Sequence, residues 1–186
     1  MPTESFLSVF FEEARELLQA LESGLMDLEA RQEDRAHLDR TFRAPIESVW
    51  AAVTESDRLE RWVGTWTGDP ASGSVLFRMN AEGDDVKPET FTIDSCEPPH
   101  RISLTSDVEG EANVWHFVLE LSEAGGTTTL TFSQSVPDAE MAAGVGPGWE
   151  YYLDRLVAAD TGADVAAVDF DDYYPAQSDH YRAMFA

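Results

Sequence analysis

Gln134 combines a polar side chain with an apolar setting. In the run Thr127–Val136 it shares the parity of Leu130 and Phe132, so strand alternation turns a neutral amide toward the apolar side. A buried amide needs partners. This one can orient a carbonyl or hydroxyl of a bound molecule, or bond Tyr152 or a water. The groups that acid–base or nucleophilic chemistry requires fall elsewhere. His116 and Cys96 take the outward parity of their strands, His100 sits beside Pro98-Pro99 at a strand entry, and His180 lies in the tail. No nucleophile elbow accompanies the serines. Cys96 has no histidine near it in sequence to favour its thiolate. As the single cysteine it also excludes an internal disulfide and a multi-cysteine zinc site. Asp164, Asp169, Asp171 and Asp172 offer oxygen ligands of the kind hard cations prefer, yet lack the spacing and glycine of an EF-hand. They read as a solvated tail clamped to the body by Tyr173 and Tyr174. No metal and no cofactor is expected. Gly144-Val-Gly-Pro-Gly148 has no phosphate-loop context and reads as a hinge or gate ahead of a helix.

The elements that must position Gln134 follow from periodicity. His37–Ala44 alternates as a strand, and Pro45 then opens a helix at its first turn, where a missing N–H is tolerated. Ile46, Val49, Trp50 and Val53 form the buried face of that helix. Ser56 is expected to cap a second short helix carrying Leu59, Trp62 and Val63, and Gly64–Gly73 reads as a loop. Strands follow at Ser74–Asn80, Glu89–Glu97, Arg101–Ser106, Asn113–Leu121 and Thr127–Val136, with a tight hairpin at Ala124-Gly125-Gly126. Apolar residues on one parity and polar ones on the other describe an antiparallel sheet that is wet outside and apolar inside. Pro147–Thr161 is the long helix, and its face of Trp149, Tyr152, Leu153 and Leu156 is a natural lid for the sheet. Ahead of all this, residues 4–32 carry an apolar stripe at helical spacing, from Leu7 and Phe10 to Leu28. Such a stripe must pack on something: its own domain, a second copy in a homodimer, or a protein partner reached through residues 6–28. The division expected is an amphipathic helix and linker over 1–36 and one domain over 37–186.

With 36 acidic residues against 12 basic ones, the 186-residue chain carries a formal charge of −24. Such a surface repels phosphates, so nucleic acid and anionic membranes are excluded as partners. No apolar stretch reaches the roughly 18 residues of a membrane span, and the acidic opening residues do not form a signal peptide. A cytoplasmic protein is expected.

Several motifs in order carry a resemblance: Arg40-Thr-Phe-Arg-Ala-Pro-Ile-Glu-Ser-Val-Trp50, Leu59-Glu-Arg-Trp62, Glu97-Pro-Pro-His-Arg101, Gly125-Gly126-Thr with Leu130-Thr-Phe132, and Gly148-Trp149 with Leu153 and Leu156. Over residues 37–160 the chain resembles the START/SRPBCC superfamily. Within it, the chain looks like the branch similar to the activator of the ninety-kilodalton heat-shock chaperone's ATPase. The resemblance implies an α+β helix-grip fold, a curved antiparallel sheet wrapped on a long C-terminal helix, with the N-terminal amphipathic helix as an addition. It also implies a cavity between sheet and helix. From the helices the lining would be Trp50, Trp62, Trp149, Tyr152, Leu153 and Leu156. From the sheet it would be Phe77, Met79, Phe91, Trp115, Phe117, Phe132 and Gln134. Aromatics and methionine suit a flat or flexible apolar ligand. The implied function is binding of a small hydrophobic molecule. The alternatives are a polyketide-cyclase-like enzyme in the same cavity, with Tyr151 or Tyr152 as acid, and an interaction module built on the first helix. Enzymatic activity stays open, with binding favoured. Residues 6–29 also resemble the first helix of chemotaxis-kinase histidine phosphotransfer domains, but the phospho-accepting motif is missing: Ala44 is followed by Pro45-Ile46-Glu47.

Overall fold

The computed structural model describes residues 35–82, 86–107 and 114–185. Contacts divide the chain after Arg35, and the amphipathic helix read over 4–32 lies outside the described residues. The domain is built from β1 (Arg35–Phe42), α1 (Ile46–Thr54), α2 (Ser56–Leu59), β2 (Gly64–Thr67), β3 (Ser74–Met79), β4 (Glu89–Glu97), β5 (Arg101–Asp107), β6 (Val114–Ala124), β7 (Thr127–Ser135), α3 (Ala139–Thr161) and α4 (Ser178–Met184).

Seven antiparallel strands form one sheet in the order β1-β7-β6-β5-β4-β3-β2. The two edges are joined in sequence by α1 and α2, and the apolar face of the sheet packs on α3. Gly125 and Gly126 both have positive φ, 59° and 79°. Two such residues in succession are what a two-residue hairpin needs, and they set the β6–β7 register that pairs Phe117 with Gln134.

Local signals and tertiary partners disagree in four places. Pro45 does precede α1, but the helix N-terminus is satisfied from afar: Ile46 N–H donates to Glu123 Oε2 at 2.9 Å, an acid placed at the positive end of the helix dipole. Ser56 is not a cap; the capping position is Glu55, without a side-chain bond. Its hydroxyl donates to Trp66 O and accepts from Trp66 N–H, both at 2.8 Å. That exchange draws the start of the expected loop into strand β2, which pairs with β3 from Gly64↔Met79 to Thr67↔Leu76. Finally, α3 begins at Ala139, two turns before Pro147. Asp138 caps it by accepting from Met141 N–H at 2.8 Å, so the glycine run is helix and not hinge.

A polar staple joins β1, α3 and the tail. Arg40 Nε donates to Asp154 Oδ1 at 2.8 Å, and its NH2 group pairs with Glu150. Tyr181 donates to Glu150 Oε1 at 2.8 Å, and Tyr173 to Asp154 Oδ2 at 2.6 Å. Burial works against the Arg40 charge, but Glu150 and Asp154 outweigh it and raise its pKa. Of the two tyrosines expected to clamp the tail, Tyr173 does so. Tyr174 is exposed and stacks on Phe170. Asp164 and Asp169 cap short turns, accepting from Ala166 and Asp171 N–H. Among the described residues no three acids, histidines or cysteines converge to hold a metal.

The staple has a pH signature. Burial, with Glu150 or Asp154 beside them, pushes the Tyr181 and Tyr173 hydroxyls above the ordinary tyrosine value of 10.0. Burial and Glu82 do the same for Tyr152. The folded protein therefore holds protons that the unfolded chain releases first, so stability is full below pH 10 and falls as pH rises beyond it. Chemical denaturation at a series of alkaline pH values should show this fall. Tyr181→Phe should make it shallower, because the phenylalanine variant has one fewer proton to release.

Candidate functional site

α3 and the concave face of the sheet enclose a cavity of about 470 Å³, within the range of small-molecule sites. Its floor is a line of aromatic rings. Phe77 meets Phe91 at 5.1 Å between centroids, and Phe91 stacks on Phe117 at 5.7 Å with 17° between planes. Phe117 then meets Trp149 edge-on at 5.6 Å. Phe91 and Phe117 stand on β4 and β6 with β5 between them. They are diagonal neighbours across β5, Phe91 lying opposite Ser106 and Phe117 opposite Leu104, and the small side chain of Ser106 leaves the rings room to lean together.

Of the residues expected to line this space, α1 and the segment after α2 supply Trp50 and Trp62. Strands β3 and β4 supply Phe77, Met79 and Phe91. Strands β6 and β7 supply Trp115, Phe117, Phe132 and Gln134, and α3 supplies Trp149 and Leu153. Tyr152 and Leu156 are not in the lining. Tyr152 is buried with its ring against Trp149 and Tyr151, and its hydroxyl donates to Glu82 Oε1 at 3.1 Å. Leu156 is 1% exposed and belongs to the filled core. Both sit on the same helix as Leu153, at positions where the side chain points past the cavity.

Gln134 is 1% exposed, and its Oε1 accepts a hydrogen bond from the Trp149 indole N–H. Trp149 is thereby held over the cavity by the amide that alternation turns inward. The partner of Oε1 is thus Trp149 and not Tyr152, whose hydroxyl bonds Glu82.

Several lining residues escaped the sequence reading. Trp66 falls in the stretch whose composition reads as a loop; its indole N–H donates to Thr54 O at 2.8 Å, and with it all five tryptophans of the chain face the cavity. Glu89 and Ser106 bring polarity to the lining, with Ser106 Oγ donating to Glu89 Oε2 at 3.3 Å. Cys96 also lines the cavity although exposed, against its expected outward parity. The pairing shifts between Ile93 and Ser95, and after this irregularity Cys96 stands opposite the inward Ile102. A one-residue slip turns every later side chain to the other face. His116 does face out: it and Asp94 both hydrogen-bond the Thr105 hydroxyl on the wet side of the sheet.

A seven-stranded antiparallel sheet gripping a long C-terminal helix over an apolar cavity defines a helix-grip protein. Residues 43–159 match the family described as activator of Hsp90 ATPase homolog 1-like protein, and the chain belongs to that family. It is similar to CalU16 from Micromonospora echinospora, at 26% identity and a TM-score of 0.67, over 81% of this chain and 87% of that one. It is also similar to DynU16, a protein in the dynemicin biosynthetic locus, at 26% identity and a TM-score of 0.59; the match covers 71% of this chain and 49% of DynU16. A protein from Bordetella parapertussis shares the fold at 24% identity and a TM-score of 0.60, over 75% and 84% of the two chains. The comparison with curated proteins gives no match. No helix among the described residues is long and apolar enough to cross a membrane.

Proposed function

We propose that this protein binds a small hydrophobic molecule, held between the aromatic floor of the sheet and α3. The observation that carries the reading is the cavity itself: about 470 Å³ walled by aromatic and aliphatic side chains, with few polar groups. Similarity to a protein of the dynemicin biosynthetic locus supports a small organic molecule as the occupant. The family description names an activity of its namesake, whereas the binding reading rests on this chain's own cavity. Binding is favoured over the cyclase-like alternative because neither tyrosine considered as its acid is in the lining: the Tyr151 hydroxyl accepts from Arg155 and the Tyr152 hydroxyl donates to Glu82.

Native mass spectrometry of the purified full chain, repeated after denaturation, tests the reading. The expected result is an added mass that disappears on denaturation, or, for a bare protein, quenching of tryptophan fluorescence by anthracene with a saturable, one-site curve. A bare protein whose five tryptophans do not respond to anthracene would overturn it.

A further inference from the structure

The polar groups of the cavity are few and differ in kind at its two sides. Glu89, at the start of β4, is the one charged residue in the lining among the described residues. It stands opposite Phe77 of β3 and receives the hydroxyl of Ser106, which is 1% exposed. Among the described residues no Lys, Arg or His forms an ion pair with it. A carboxylate on an apolar space without a counter-charge is costly. It favours a cation or a hydrogen-bond donor and repels an anion, more strongly than it would in water.

On the other side, Gln134 Oε1 accepts from Trp149, which leaves the amide N–H₂ as the polar group Gln134 brings to the lining. An amide N–H₂ is a donor only. β4 and β7 are separated by β5 and β6, and the register puts Gln134 in line with Ile93, four residues along β4 from Glu89, so the two backbone positions stand about 20 Å apart across the sheet and their side chains reach in from opposite corners. Between them lie the stacked Phe91 and Phe117 rings and the edge-on Trp149, a surface that favours planar π-systems.

From this we infer that the cavity selects flat aromatic molecules that are neutral or cationic. Such a ligand directs an N–H or O–H donor at Glu89 and an acceptor such as a carbonyl toward Gln134, and the cavity rejects carboxylates of the same shape. The inference rests on the binding reading above and names its ligand class.

Three probes of one shape test it: anthracene, anthracen-2-ylmethanamine and anthracene-2-carboxylate, titrated into the full chain and followed by tryptophan quenching. The ammonium should bind about tenfold more tightly than the carboxylate, the size expected of one partly shielded charge pair. Glu89→Gln should bring the two within about threefold and Glu89→Arg should reverse their order, each ratio being taken within one protein so that any change common to both probes cancels. The overall acidity of the chain also favours a cation. Glu89→Gln removes only one charge from a net −24, so a preference that survives the substitution belongs to the surface and overturns the inference while leaving the binding reading intact. If anthracene binds none of the proteins, the binding reading falls and the inference with it. Near-UV circular dichroism of the variants confirms that the aromatic core is unchanged.

Discussion

Leu156→Ala is expected to destabilise the protein by about 2–5 kcal/mol and to leave ligand uptake untouched. The side chain is 1% exposed and packed in the core, so its removal costs the transfer free energy of the lost carbons and leaves a void the core cannot wholly refill. In a domain of this size that corresponds to a melting temperature lower by about 5–15 °C. Leu153 is the control. It has the same burial, 1%, and lies one turn earlier on α3, but its side chain is part of the cavity wall. Leu153→Ala should also lose stability, yet the space it frees joins a cavity that already exists, so it should alter anthracene binding as measured by tryptophan quenching. Measured well below its melting temperature, Leu156→Ala should bind like the parent protein. Equal binding changes in the two variants would mean that the boundary of the cavity has been drawn in the wrong place.

That boundary marks how far the sequence could be read. Periodicity identifies the strands and the direction of most side chains, because one face of the sheet is wet and the alternation is clean. The inward turn of Gln134 and the run Phe77, Phe91, Phe117, Phe132 follow from it directly. It does not report depth along a helix face: Trp149, Tyr152, Leu153 and Leu156 form one stripe, and only the curvature of the sheet beneath decides that two of them meet open space. Nor does it report register irregularities. Cys96 has the wrong assigned face because the shift between Ile93 and Ser95 leaves no mark in composition. Trp66 falls where local signals are weak, in a Gly- and Thr-rich stretch that becomes a strand only by pairing with β3, whereas Glu89 shares the parity of Phe91 and Ile93 in a strand the sequence does show, and only its charge argues against an inward place. The Glu123 contact to α1 and the Arg40 staple join residues 77, 110 and 114 positions apart, a separation over which local pattern carries no information.

α3 begins eight residues before Pro147, against the local signal of its first turns. Glycine and proline are poor helix formers, and Gly144-Val-Gly-Pro-Gly148 therefore argues for a break. The structure gives the glycines different standing. A Cβ built on Gly146 would lie 2.3–2.5 Å from the ring atoms of Tyr181, whereas one built on Gly144 would meet nothing within 4 Å. Gly146 is thus the flat seat on which α4 packs, and Tyr181, 3% exposed and bonded to Glu150, cannot retreat without surrendering that bond. Gly146→Ala should therefore destabilise by about 1–3 kcal/mol through overpacking, even though alanine is the better helix former. Gly144→Ala should instead stabilise by about 1 kcal/mol, the propensity gain alone. Paired urea denaturation of the two variants gives opposite shifts of midpoint if this holds. Adding Tyr181→Ala to Gly146→Ala should recover the loss attributable to the clash, so that the double variant is no less stable than Tyr181→Ala alone. If Gly146→Ala proved as stabilising as Gly144→Ala, α4 would not be seated on α3 at this position, and the glycines would mark weak helix propensity without a packing role.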